Sequence, residues 1–172
     1  MATVTLRGNQ IHTAGSLPAV GGAAPDFKLT TGDLSDVSLA DFAGKVKIMS
    51  VSPSLDTSVC ALSAKKFEQE VKKLGGAVVL HVSRDLPFAQ SRFCKAEGVE
   101  SVIPLSELRD RSFGKSYGVE LTDGPMAGLL CRAVVVVDAS NRVVHAELVP
   151  EITQEPDYGK AMEAARKALA PR

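Results

Sequence analysis

Val46-Lys47-Ile48-Met49-Ser50-Val51 leads through Ser52-Pro53-Ser54-Leu55-Asp56-Thr57-Ser58-Val59-Cys60 into a longer periodic run, and Ala77-Val78-Val79-Leu80-His81-Val82 follows it. The first and last of these segments are short, largely apolar and bounded by turn residues, as buried strands are. Between them Leu62, Phe67, Val71 and Leu74 recur at helical spacing, which predicts a helix over Val59–Leu74 with Gly75-Gly76 as its stop. A strand, a helix and a second strand in that order form a crossover unit, so the two strands pair in parallel. That stretch places the chain among α/β folds.

Beyond Val82, Asp85 can cap a second helix with Pro87 in its first turn, running to about Glu97 before Gly98 and carrying Cys94 near its end. A short helix is expected near Arg111–Tyr117. Strands over Ala133–Asp138 and Val143–Leu148 share a tight Ala-Ser-Asn turn, so this pair is antiparallel. A last helix covers Asp157–Ala168. Before the crossover, Val4–Thr13 alternates around Gly8-Asn9 like a small hairpin, Ala14–Asp26 is loop, and Phe27–Thr30 and Val37–Leu39 are short strand candidates. The layout is that of a thioredoxin-like fold: a central mixed sheet flanked by helices, with an N-terminal β-hairpin extension over residues 1–14. One domain is expected over residues 1–172.

Composition narrows the function. Lys+Arg and Asp+Glu are equal at 20 each, and no basic run is interleaved with aromatics, so neither nucleic acid nor an anionic membrane surface is an expected partner. The longest strongly apolar run, Ala133–Val137, is far below the ~20 residues of a membrane span. Three cysteines, an odd number, and the lack of an apolar leader in the first twenty residues predict a cytoplasmic protein rather than a disulfide-stapled secreted one.

Cys60 then stands out. Pro53 cannot extend the preceding strand, so the chain turns out of the sheet there, and Asp56, Thr57 and Ser58 can each cap the helix that starts beside Cys60. Unpaired N–H groups and the positive end of the helix dipole favour a thiolate at that position. Thr57, three residues ahead, can bring its hydroxyl toward the sulfur. The alternative is an inert core thiol, since free cysteine is among the most buried residue types. Arg132, just ahead of the Ala133–Val137 strand, can likewise be a solvated edge or an ion-pair partner.

Pro53-x-x-x-Thr57-x-x-Cys60 after the first core strand resembles a peroxiredoxin. Asp56–Cys60, Asp85-Leu86-Pro87-Phe88-Ala89-Gln90-Ser91-Arg92-Phe93-Cys94, and Asp123-Gly124-Pro125 ahead of Arg132 resemble the bacterial thiol peroxidase subfamily, over nearly the whole chain. The resemblance implies reduction of hydrogen peroxide and organic hydroperoxides, with thioredoxin as reductant and a homodimeric protein. It also implies the site roles: Cys60 as peroxidatic and Cys94 as resolving cysteine, joined in an intramolecular redox disulfide. Thr57 and Pro53 would shape the pocket, and Arg132 would hold the negative charge. Sulfur carries the redox change, so no cofactor or metal is expected.

Cys60 and Cys94 are 34 positions apart on different helices, with a strand between that should bring them toward one sheet edge. A disulfide needs Cα atoms within about 7 Å, so one or both helix ends are expected to unwind in each cycle. Cys131 would face away from Cys60 if Arg132 faces it, as strand neighbours do, which favours a buried structural thiol and leaves a different disulfide partner open. Three other functions compete. A thiol–disulfide oxidoreductase is weakened by Thr57 standing where a Cys-x-x-Cys motif has its first sulfur. A cysteine hydrolase would need His81 or His145 beside Cys60. A redox-sensing module would use the same thiols without turnover.

Overall fold

The computed structural model describes residues 1–170; positions 171 and 172 of the expected domain lie outside the described residues. Among the described residues nine strands and four α-helices follow one another as β1 (Thr3–Leu6), β2 (Asn9–His12), β3 (Leu29–Thr30), β4 (Asp36–Val37), β5 (Val46–Val51), α1 (Ser58–Val71), β6 (Ala77–Ser83), α2 (Pro87–Glu97), β7 (Val102–Ser106), α3 (Ser112–Ser116), β8 (Ala133–Val137), β9 (Val143–Leu148) and α4 (Tyr158–Leu169). A 3-10 turn at Leu39–Phe42 precedes β5.

The main sheet has the order β4-β3-β7-β6-β5-β8-β9, and β1-β2 form a separate ribbon. Strands β5, β6 and β7 are parallel, while β8 adds antiparallel to β5 and β9 antiparallel to β8. The apolar run of each central strand splits by alternation between two cores. Ile48, Val79, Val134 and Val136 point to the face covered by α1, α2 and α4, where Phe67, Val71 and Met162 pack. Met49, Val51, Leu80, Val82 and Val135 point to the other face, against Phe27, Phe113 and Tyr117. Phe67 is wholly buried and meets Tyr158 edge-on at 5.1 Å, a packing position worth about 2 kcal/mol of apolar burial.

The expected fold class stands, with local corrections. Strand β7 was not foreseen, because Val102-Ile103-Pro104-Leu105-Ser106 has a proline at its centre. Pro104 is tolerated because β3 reaches β7 only at Ser106, which leaves the proline on an otherwise unpaired side. The hairpin turns at Arg7-Gly8, one residue earlier than expected, with both residues at positive φ (50° and 84°). That is the two-residue turn whose twist suits paired strands. The second helix is capped at Leu86 rather than Asp85, and Gly98 ends it in the left-handed conformation.

Candidate active site

The chain path around Cys60 is set at the end of β5 and the start of α1. Strand β5 ends at Val51, and Ser52 still pairs through its N–H with Val82. Pro53 then forces the chain off the sheet. The turn that follows is fastened by Asp85, at the end of β6. Its carboxylate accepts the Ser54 hydroxyl at 2.6 Å, the Leu55 N–H at 2.8 Å and the Ser83 hydroxyl at 2.9 Å. Asp85, read from sequence as a helix cap, is instead the cross-link that sets where α1 begins. Its local Asp-x-Pro context imitates a cap, and nothing nearby in sequence announces partners 30 residues away.

Helix α1 starts with Thr57 as its N-cap residue and Cys60 in its first turn. Thr57 does not cap with its side chain. Its hydroxyl donates to the Ser54 carbonyl at 3.0 Å, which orients the oxygen lone pairs away from that carbonyl. The expected approach to the sulfur is therefore not a Thr57–Cys60 hydrogen bond in this state. Arg132 does reach it. Its Nη2 donates to the Cys60 sulfur at 3.3 Å, with Cys60 fully buried and Arg132 only 3% exposed. Arg132 Nε donates to the Ile152 carbonyl at 2.9 Å, fixing the guanidinium plane. The Nη1 nitrogen is buried without a hydrogen-bond partner among the described residues. A guanidinium held in this way is a fixed cation with spare donors, suited to a sulfur anion and to an oxygen brought beside it.

A groove of about 530 Å³ lies beside this site, lined by Ser58 and Val59 just ahead of Cys60 and by Arg132, which holds the sulfur. Pro53, Thr57 and Arg132 line it, and Leu6, Arg7 and Asn9 of the hairpin contribute a wall. Pro125 and Met126 line it as well, so the Asp123-Gly124-Pro125 segment contributes through its proline. Gly124 is required there by space as well as by its φ of 70°, since a Cβ would sit 2.5 Å from the Ile11 side chain. The hairpin is thus part of the site wall, a role that its sequence gives no sign of.

Cys94 lies elsewhere. It is the eighth residue of α2, half-buried, and packs with Phe93 toward the α-helical face of the sheet. Both helices run back from the ends of parallel strands, and at 1.5 Å per residue Cys94 stands roughly 7 Å further along its helix than Cys60, which is third in its own. Burial pushes the Cys94 thiol up, and the nearby Glu68 charge adds to that. Cys60, Cys94 and Cys131 are all free thiols. Cys131 is buried in the opposite core, where loss of solvent pushes its thiol up to about 12, the behaviour of a structural cysteine.

Among the described residues no histidine is hydrogen-bonded to the Cys60 sulfur. His81 is fully buried with its Nε2 2.9 Å from the Ser52 hydroxyl, and burial pulls it down to about 4. His12 pairs with Asp123 at 2.6 Å, and His145 lies 4.0 Å from Glu147. Among the described residues, no three His, Cys, Asp or Glu side chains are grouped to hold a metal ion, and no helix is long and apolar enough to cross a membrane.

A thioredoxin-like sheet with a thiol at a helix start, held by a buried arginine, defines the peroxiredoxin class. The chain belongs to that class: the Redoxin family model matches residues 19–162. Within it, the chain is one of the thiol peroxidases. It is 56% identical over 164 residues to the thiol peroxidase of Mycobacterium tuberculosis H37Rv, covering 95% of this chain and 98% of that one. It is 50% identical over 171 residues to that of Leptospira interrogans serovar Lai, covering 98% and 100%. Among solved structures, a peroxiredoxin-like protein from Aquifex aeolicus superposes with a TM-score of 0.92 at 37% identity, over 98% of both chains. A thiol peroxidase from Chromobacterium violaceum gives 0.89 at 23% identity, over 96% of this chain and 95% of that one, a likeness of fold.

Proposed function

We propose that this thiol-dependent peroxidase reduces hydrogen peroxide and organic hydroperoxides through Cys60, resolves the oxidised sulfur with Cys94, and is recycled by thioredoxin. The observation that carries the reading is the Arg132 Nη2–Cys60 sulfur contact of 3.3 Å, made by an arginine that also lines a groove. In the first step the Cys60 thiolate attacks the terminal peroxide oxygen. The O–O bond breaks, sulfur is oxidised to sulfenic acid, and the departing alkoxide or hydroxide takes up a proton to leave as alcohol or water. Arg132 supports this step by holding the thiolate and by offering Nη1 to the oxygen that gains charge. Pro53 and Thr57 border the approach, with the Thr57 oxygen free to accept from a peroxide O–H. In the second step the Cys94 thiol attacks the sulfenic sulfur, an S–S bond forms and water leaves. A dithiol reductant of the thioredoxin type then takes over the disulfide and restores both thiols.

The second step needs movement, because a fully buried sulfur on α1 and a half-buried one on α2 are not bonded here and belong to different packing environments. Unwinding of the first turn of α1, of the end of α2, or of both is part of the proposal. Superimposable reduced and oxidised structures around both cysteines would refute it.

Peroxide consumption driven by thioredoxin and its reductase tests the assignment on wild type, Cys60→Ser and Cys94→Ser. Cys60→Ser should lose turnover, and Cys94→Ser should accumulate sulfenic acid with little reductant-dependent turnover. Full activity in Cys60→Ser would sink the reading. Homodimerisation belongs to the same proposal and is read by sedimentation of the reduced protein.

A further inference from the structure

The hairpin that walls the groove is fastened at its tip by one side chain outside the catalytic set. Glu151, in the segment after β9, receives five hydrogen bonds through its carboxylate. The Arg7 N–H donates to Oε1 at 2.9 Å and the Gly8 N–H to Oε2 at 3.1 Å. These are the two N–H groups of the hairpin turn, which lie outside the β1–β2 register. The Thr5 hydroxyl donates to Oε2 at 2.6 Å, and Thr153 donates its N–H and its hydroxyl to Oε1 at 3.2 and 2.9 Å. The main chain reinforces the junction: Thr5 N–H donates to the Pro150 carbonyl at 2.7 Å and Ile152 N–H to the Thr5 carbonyl at 2.9 Å.

The same short segment also holds Arg132. The Ile152 carbonyl is the acceptor that fixes Arg132 Nε, and Ile152 and Thr153 line the groove. Residues 150–153 therefore hold the substrate wall and the catalytic cation at once. Arg7 sits at φ 50°, a conformation that L side chains adopt at a cost. Both turn amides converge on a carboxylate, which favours that conformation over an extended one.

We infer that Glu151 is a positioning residue for the peroxidase reaction: it fixes the hairpin turn so that Leu6, Arg7 and Asn9 form a rigid wall against the organic part of a bulky hydroperoxide. The inference rests on the peroxidase reading and concerns only which substrates profit from the wall. Hydrogen peroxide has no organic part to rest against that wall. A substrate with a ring or chain beyond its O–O group gains from a preorganised surface. The ionised carboxyl is present at any working pH, since the Thr5 hydroxyl and the turn amides hold it down at about 2. The base of the hairpin is tied separately, through His12 N–H to Asp123 at 2.7 Å and Thr122 N–H to the His12 carbonyl at 2.9 Å, so loss of Glu151 loosens the tip and not the attachment.

The test compares kcat/KM for cumene hydroperoxide with kcat/KM for hydrogen peroxide in wild type, Glu151→Gln and Leu6→Ala, with backbone amide exchange read at Arg7 and Gly8. In Glu151→Gln the ratio of the two values should fall about tenfold, mostly through KM, and both turn amides should exchange faster. Leu6→Ala, which shortens the wall and keeps the carboxylate, should lower the ratio in the same direction with the amides still protected. An unchanged ratio in Glu151→Gln would overturn the inference. So would an equal loss on both substrates, which would mean that Glu151 acts on Arg132 and not on the wall. Wild-type turnover of hydrogen peroxide is read in the same series, so a failure of the peroxidase reading itself would be seen separately.

Discussion

Replacing Arg132 with methionine removes the cation from Cys60 while roughly keeping side-chain length. Unit charges 3.3 Å apart in an effective dielectric of ~20 attract with roughly 5 kcal/mol before desolvation is counted. The net worth of a hydrogen bond to a charged group is smaller, about 1.5–3 kcal/mol, because both partners must be taken from water and here both are buried. If that difference acts on the reacting thiolate, the second-order rate of Cys60 oxidation should fall about tenfold to about 150-fold at neutral pH. The chain has no tryptophan, so the rate is best measured by competition with a haem peroxidase for limiting peroxide. Arg132→Lys should recover only part of the rate, since one ammonium cannot match the guanidinium fork that binds Ile152 and the sulfur together. A rate for Arg132→Met within twofold of wild type would refute the role of Arg132 and leave it a structural tie to Ile152.

Two further expectations concern the scaffold. His81 is buried neutral and titrates at about 4 in the folded chain against 6.5 when exposed, burial being the main cause and the Arg132 charge a further one, partly opposed by Asp85. The unfolded chain therefore binds more protons between these values, so stability rises with pH there and is lost as pH falls from 6.5 to about 4. At 1.36 kcal/mol per unit the loss is on the order of 3 kcal/mol, and His81→Gln should flatten that limb in urea titrations at stepped pH. Asp85→Ala should lower Tm and slow peroxide reduction together, because Ser54 and Leu55 lose charged-acceptor hydrogen bonds worth about 1.5–3 kcal/mol each. A normal oxidation rate in that variant would show that the turn before Cys60 holds itself.

The central strands and α1 were legible because each is a long local pattern: an apolar run, a breaking proline, a helical period. Strand β7 was illegible because Pro104 argues locally against a strand, and only the sparse pairing with β3 makes room for it. Thr57 and Cys60 could be placed beside one another from spacing alone, whereas the Arg132 contact spans 72 positions and was reached through family resemblance. The roles of Asp85, Glu151 and the hairpin wall rest on contacts across 30, 144 and more than 100 positions, for which no local signal exists.

The central claim is that the buried sulfur beside Arg132 takes the oxygen from peroxide. Reduced Cys94→Ser protein treated with one equivalent of hydrogen peroxide, trapped with dimedone and digested with trypsin tests it directly. The account predicts one adduct, on the peptide Ile48–Lys65 that carries Cys60, and unmodified Cys131. An adduct on Cys131, or none on Cys60 while peroxide is still consumed, would contradict it.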